Sequence, residues 1–130
     1  MKYEIAVCLG DGKIVWCAGG EGGSVHDITL LRMYGLLDML RPSELILGDK
    51  AYIGESQILT PFKSPKNDIE IEINSWVNKS RIVVENVFGR IKKFSCLTTK
   101  WRHDTALHPM IFHLIARLTA LDIASRPIVT

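Results

Sequence analysis

Glu44-Leu45-Ile46-Leu47-Gly48-Asp49 is the stretch on which the fold turns. Glu44–Leu47 reads as a short apolar strand, of the kind buried in a parallel or mixed sheet. Arg41-Pro42 bounds the stretch on one side and Gly48-Asp49 on the other, which leaves no room for a helix. Before it, Ser24-Val25-His26-Asp27 opens a helix, with Ser24 and a carboxylate three residues on as an acidic form of the capping box. Ile28, Leu31, Met33, Leu36, Leu37 and Leu40 continue that helix at roughly a 3.6-residue period. Further upstream, Tyr3–Leu9 and Lys13–Ala18 read as strands around Gly10-Asp11-Gly12, a β-hairpin. Gly19-Gly20-Glu21-Gly22-Gly23 reads as irregular. Downstream, Gln57–Phe62 is a short strand and Ser64–Ser75 a polar loop, and Trp76–Phe94 and Ala106–Ala124 are long helices. The order β-β-α-β-β-α-α predicts one α/β domain over residues 1–130, a mixed sheet flanked by helices.

The chain has 130 residues, 47% hydrophobic and 23% charged, an ordinary globular balance that excludes disorder. No apolar run free of charges reaches the ~18 residues of a membrane span, and Met1-Lys2-Tyr3-Glu4 runs straight into a strand pattern instead of a signal peptide. Neither secretion nor a membrane partner is expected. Cys8, Cys17 and Cys96 form no C-x-x-C pair and are odd in number, which suits a reducing, intracellular compartment better than a disulfide framework or zinc knuckle.

Charge is unevenly spread. Residues 1–62 carry five Lys/Arg against eight Asp/Glu, and residues 63–130 carry eleven against six. Between Lys79 and Arg102 stand seven basic residues and one acid, Glu85. Such a segment suits a polyanionic partner, although a solvated Lys/Arg helix face gives the same pattern.

Three carboxylates are candidates for chemistry. Asp49 follows a buried strand, where α/β sheets gather their sites, and a turn aspartate would look the same. Glu85 lies mid-helix with Arg81, Phe88, Gly89 and Lys92 on its face. A plain Arg81–Glu85 ion pair explains the acid but not Gly89, which costs about 1 kcal/mol in a helix interior and points to a close approach by backbone or ligand. Asp27 begins the first helix, where a cap is its simplest role. His103, His108 and His113 are spaced by five, off any single helix face, so a zinc site is not expected. G-x-S-x-G, P-loop and G-x-G-x-x-G patterns are absent.

Three blocks in order resemble the DDE endonuclease superfamily of cut-and-paste transposases, of the PIF/Harbinger and related insertion-sequence kind. They are Gly22-Gly23-Ser24-Val25-His26-Asp27, Leu47-Gly48-Asp49-Lys50-Ala51-Tyr52-Ile53-Gly54, and Arg81-Ile82-Val83-Val84-Glu85-Asn86-Val87-Phe88-Gly89-Arg90-Ile91-Lys92-Lys93-Phe94. The resemblance runs from about Tyr3 to Ile123. It implies an RNase H-like fold, with the hairpin as second and third strands and the chain as the C-terminal part of the domain. It implies Asp49 and Glu85 as catalytic carboxylates and ligands of Mg²⁺ or Mn²⁺, close enough to share one ion. DNA is the implied partner, with Lys50, Arg81, Arg90, Lys92 and Lys93 as phosphate contacts. The family's first aspartate lies on a strand before the hairpin, and no residue here matches it. Asp27 is the one stand-in, if its helix start swings towards the site. Two carboxylates against two divalent ions lead to an expectation of weak cleavage or none from this chain alone. The rival reading is a truncated or domesticated derivative without catalysis, serving as a DNA-binding or protein-interaction module. Self-association, or partnership with a separate DNA-binding protein or the missing N-terminal part, fits either. The expected location is intracellular, and nuclear in a eukaryote.

Overall fold

The computed structural model describes residues 1–128. Strands β1 (Lys2–Val7) and β2 (Ile14–Glu21) form an antiparallel hairpin, and β3 (Ile46–Leu47) and β4 (Ile58–Leu59) form a separate parallel pair. Helix α1 (Asp27–Met33) links the two pairs, and α2 (Asp68–Ile91) and α3 (Leu107–Ser125) complete the fold. Short 3-10 turns cover Leu37–Met39, Lys50–Tyr52 and Ser95–Leu97. This is a mixed α/β architecture with the element order expected from the sequence. The sheet differs: among the described residues it is two two-stranded pieces, with no hydrogen-bonded ladder between β1 and β3.

Strand periodicity assigns the two faces of the hairpin. Tyr3, Ile5, Val7, Ile14 and Cys17 turn towards a core of Val83, Val87, Ile91, Phe112, Ile115 and Ile123, contributed by α2 and α3. Ala6 and Trp16 turn the other way, to a smaller core of Leu31, Leu36 and Ile58 shared with Ile46 and Tyr52. The hairpin is therefore covered on both sides, and α2 reaches both strand pairs by packing on β1 and β3.

Four sequence expectations are corrected. The glycine run is partly regular, because β2 continues through Gly19 and Gly20 to Glu21. These two glycines take φ of 131° and 96°, conformations that L side chains rarely adopt, and the register slips by one residue between Lys2 and Tyr3. Residues 68–75 are helix rather than loop, because the Asn67 side chain accepts the Glu70 N–H (2.9 Å) while the Glu70 carboxylate accepts the Lys66 N–H (3.0 Å). That Asn-x-x-Glu signal was readable in the sequence. Ser24 caps nothing, since the helix begins at Asp27 with His26 as N-cap and no side-chain cap bond. Finally, α3 is by length and composition apolar enough to cross a membrane. It also carries Arg117 and Asp122, and it buries Phe112, Ile115, Ala116, Thr119 and Ile123 within the fold.

Candidate functional site

The Asp49 turn is held twice. Asp49 Oδ1 accepts the Ala51 N–H (2.9 Å) and so caps the Lys50–Tyr52 turn, while Asp49 and Lys50 themselves stay exposed. At the other end of the turn, the Tyr52 hydroxyl donates to Glu4 Oε2. Gly48 lets the turn pack closely, because a Cβ there would lie 3.0 Å from the Ile58 side chain and 3.1 Å from the Tyr52 ring. The Tyr52–Glu4 bond is the polar tie between the β3–β4 pair and the hairpin.

Glu4 is a residue that sequence reasoning missed. It is only 6% exposed, and its Oε1 has no hydrogen-bond partner among the described residues. The signal was its even-numbered place in β1, which puts it on the same face as Ala6, towards the second core. Burial pushes its carboxyl up from 4.5 to about 7. The Tyr52 hydrogen bond and Lys2 oppose that rise, and Asp27 and Asp49 reinforce it. Burial also raises the Tyr52 hydroxyl, helped by Glu4, Asp27 and Asp49. Asp27 and Asp49 therefore each lie within electrostatic reach of Glu4 and Tyr52. Asp27 pairs with Lys2 Nζ at 2.5 Å, and the same ammonium donates to the Val25 carbonyl (2.7 Å). Its carboxylate answers a lysine and makes no cap bond, contrary to the capping expectation.

The shift at Glu4 has a stability consequence. Between pH 4.5 and about 7 the folded chain holds a proton that the unfolded chain has released, so this contribution is present in acid and lost as pH rises through about 7. Allowing for solvent screening, it amounts to about 1–2 kcal/mol. Urea unfolding of Glu4→Gln at pH 5 and pH 8 should show a flatter pH dependence than the parent chain. Equal slopes in the two proteins would show that Glu4 is not the titrating group.

Glu85 sits elsewhere on α2. At ~100° per residue it lies about 160° around the helix from both Val83 and Val87, which are fully buried. It is exposed and accepts from Arg81 Nε at 3.1 Å, the i,i+4 pair expected from the sequence. A Cβ on Gly89, one turn further, would meet nothing within 4 Å. No described protein group crowds Gly89, so the close backbone approach expected from the sequence is not found there.

Among the phosphate candidates, Lys50, Arg81, Lys92 and Lys93 are exposed. Arg90 is turned inward. Its guanidinium donates to the Arg126 carbonyl (2.6 Å) and to Asp122 (3.3 Å), tying α2 to the end of α3. His108 is structural too, sharing a 2.6 Å hydrogen bond with the Tyr3 hydroxyl and stacking on the Tyr3 ring. Cys8, Cys17 and Cys96 are free thiols.

The carboxylates are hard oxygen donors of the type Mg²⁺ and Mn²⁺ prefer. Their placement is not a ready metal centre, because no three His, Cys, Asp or Glu side chains among the described residues gather in a metal-holding geometry.

Comparison with known proteins supplies the family. No solved structure matches the chain. A curated relative from Microchaete diplosiphon, described as a probable transposase for insertion sequence element IS702, is 32% identical over 133 residues. That alignment covers 95% of this chain and 44% of the relative, so the chain spans less than half of that protein's length. The sequence pattern of the DDE superfamily endonucleases matches residues 1–121, a span that holds the hairpin, the Asp49 turn and the Glu85 helix, and the chain belongs to that family.

Proposed function

We propose that this chain is part of a transposase-type DNA-processing domain, acting on the DNA phosphodiester backbone. The observation that carries this reading is the family match over residues 1–121, which includes both Asp49 and Glu85. The whole of 1–130 is read as one domain, the C-terminal part of an RNase H-like frame. Support for that frame is the element order and the split sheet, with an antiparallel β1–β2 pair, a parallel β3–β4 pair and α2 laid across both.

In this reading Asp49 and Glu85 are the family's carboxylates, and Asp27 is a candidate third because both it and Asp49 act electrostatically on Glu4. A divalent ion, when bound, supplies a Lewis acid and an activated nucleophile. The chain's own contributions are simpler to state. The Ala51 N–H and the Tyr52–Glu4 bond orient the Asp49 turn. Open space at Gly89 leaves the backbone beside Glu85 approachable. Lys50, Arg81, Lys92 and Lys93 offer cations to phosphates, and Arg90 adds to them only if it leaves Asp122.

The test is Mn²⁺ binding together with plasmid nicking, using the 130-residue chain and its Asp49→Ala, Glu85→Ala, Asp27→Ala and Gly89→Ala variants. Weak Mn²⁺ binding lost in Asp49→Ala and Glu85→Ala, with little or no nicking, is the expected result. Gly89→Ala should be more stable by about 1 kcal/mol yet poorer in DNA binding. Mn²⁺ binding untouched by either carboxylate change would remove the site assignment. Robust nicking would show the carboxylates present to suffice. A non-catalytic derivative that binds DNA or a protein partner is the second reading. DNA binding with no response to Mn²⁺ would support it.

A further inference from the structure

A cavity of ≈ 640 Å³ opens between the 95–103 connection and the start of α3, well away from the Asp49 turn in sequence. Its apolar lining comes from Leu107, Met110 and Ile111, and Trp101 lines it as well. Its basic members are Lys100, Arg102 and His103, and no carboxylate lines it. The nearest acid in sequence, Asp104, is already engaged, because its carboxylate accepts the Ala106 N–H (3.0 Å). The indole of Trp101 is fixed by donating Nε1–H to the Asp104 carbonyl (3.0 Å) and by edge contacts with His103 and His108.

We propose that this cavity receives one unpaired nucleotide of a DNA strand, its base among Trp101, Leu107 and Met110 and its phosphate on Lys100 and Arg102. The proposal rests on DNA being the substrate class. Three features select that occupant. The volume lies within the ~300–1,000 Å³ range of small-ligand sites and suits one nucleotide. An aromatic ring beside apolar side chains suits the flat face of a base, and only an unstacked base has a free face to offer. The acid-free lining with two permanent cations suits a phosphate and continues the basic series Lys79, Arg81, Lys92 and Lys93 to its end at Arg102. An apolar peptide would have no use for those cations.

The experiment compares binding of the 130-residue chain to two duplexes of one sequence, one fully paired and one with a single extra thymidine bulged from a strand. The bulged duplex should bind about tenfold tighter, and the advantage should vanish in Trp101→Ala and in Met110→Glu. Met110 is 67% exposed, so its substitution leaves the core intact and keeps the test decisive if Trp101→Ala folds poorly. A 5-iodouracil base at the bulge should photocrosslink to Trp101. Equal affinity for both duplexes, or an advantage that survives Met110→Glu, overturns the cavity assignment and leaves the DNA reading standing. Binding to neither duplex overturns both.

Discussion

Replacing Arg81, Lys92 and Lys93 together with alanine lowers DNA affinity by a few hundred-fold at 0.1 M salt. Each phosphate contact contributes about 0.9 to the slope of log affinity against log salt, so three contacts change the slope by about 2.7. Measured from 1 M salt, where counterion release contributes little, one decade of salt converts that slope into roughly 500-fold. The three residues are chosen by their placement. Arg81 and Lys92 fall within about 20° of each other around α2 and about 16 Å apart along its axis, and Lys93 adjoins Lys92. All three are exposed, and the side chain of Arg81 is 73% exposed despite its pairing with Glu85. The loss should be uniform across DNA sequences, because phosphates carry no base identity. Arg90→Ala is the contrasting variant. It breaks the α2–α3 tie to Asp122 and Arg126, so it should lower stability by about 1–2 kcal/mol and leave the salt slope unchanged. Affinity of the triple variant equal to the parent, or affinity indifferent to salt between about 50 and 200 mM, would leave the basic segment as a solvated helix face.

Gly19→Ala destabilises the fold by about 3–5 kcal/mol, a large share of the ~5–15 kcal/mol of a typical domain. Two effects add. Gly19 has φ of 131°, a conformation that alanine adopts only under strain. A Cβ there would also run into the Lys2 carbonyl oxygen and stand 2.7 Å from the Tyr3 Cα, and both are backbone atoms that cannot rotate away. The damage reaches further because Tyr3 is the hinge of the packing. Its ring stacks on Phe112 (centroids 3.9 Å apart) and its hydroxyl bonds His108, so moving it lifts the start of α3 from the hairpin. Urea unfolding followed by circular dichroism measures the effect. Gly22→Ala is the control, because a Cβ there meets nothing within 4 Å. Parent-like stability in Gly19→Ala would show that the bulge relaxes at little cost.

Some of the local geometry was readable from local pattern. The Asp49 turn and the Arg81–Glu85 pair each depend on residues within a few positions, and both are present in the structure, whereas the close backbone approach expected at Gly89 is not. Asp27 was misread because its partner, Lys2, lies twenty-five positions away on another element. Arg90 was grouped with the phosphate contacts because a run of Lys and Arg looks alike until Asp122 and Arg126 arrive from α3.

The sequence by itself determined the element order, the hairpin, the long helices and the family. Those depend on periodicity, turn residues and short motifs, all of which act over less than about twenty residues. Tertiary structure alone decided that the sheet is split into two pairs and that Glu4 is buried with a raised pKa against Tyr52. It alone decided which cations are free and where a cavity opens beside Trp101. Burial, charge compensation and cavity shape are properties of groups brought together from distant positions, and no local window of the chain contains both partners.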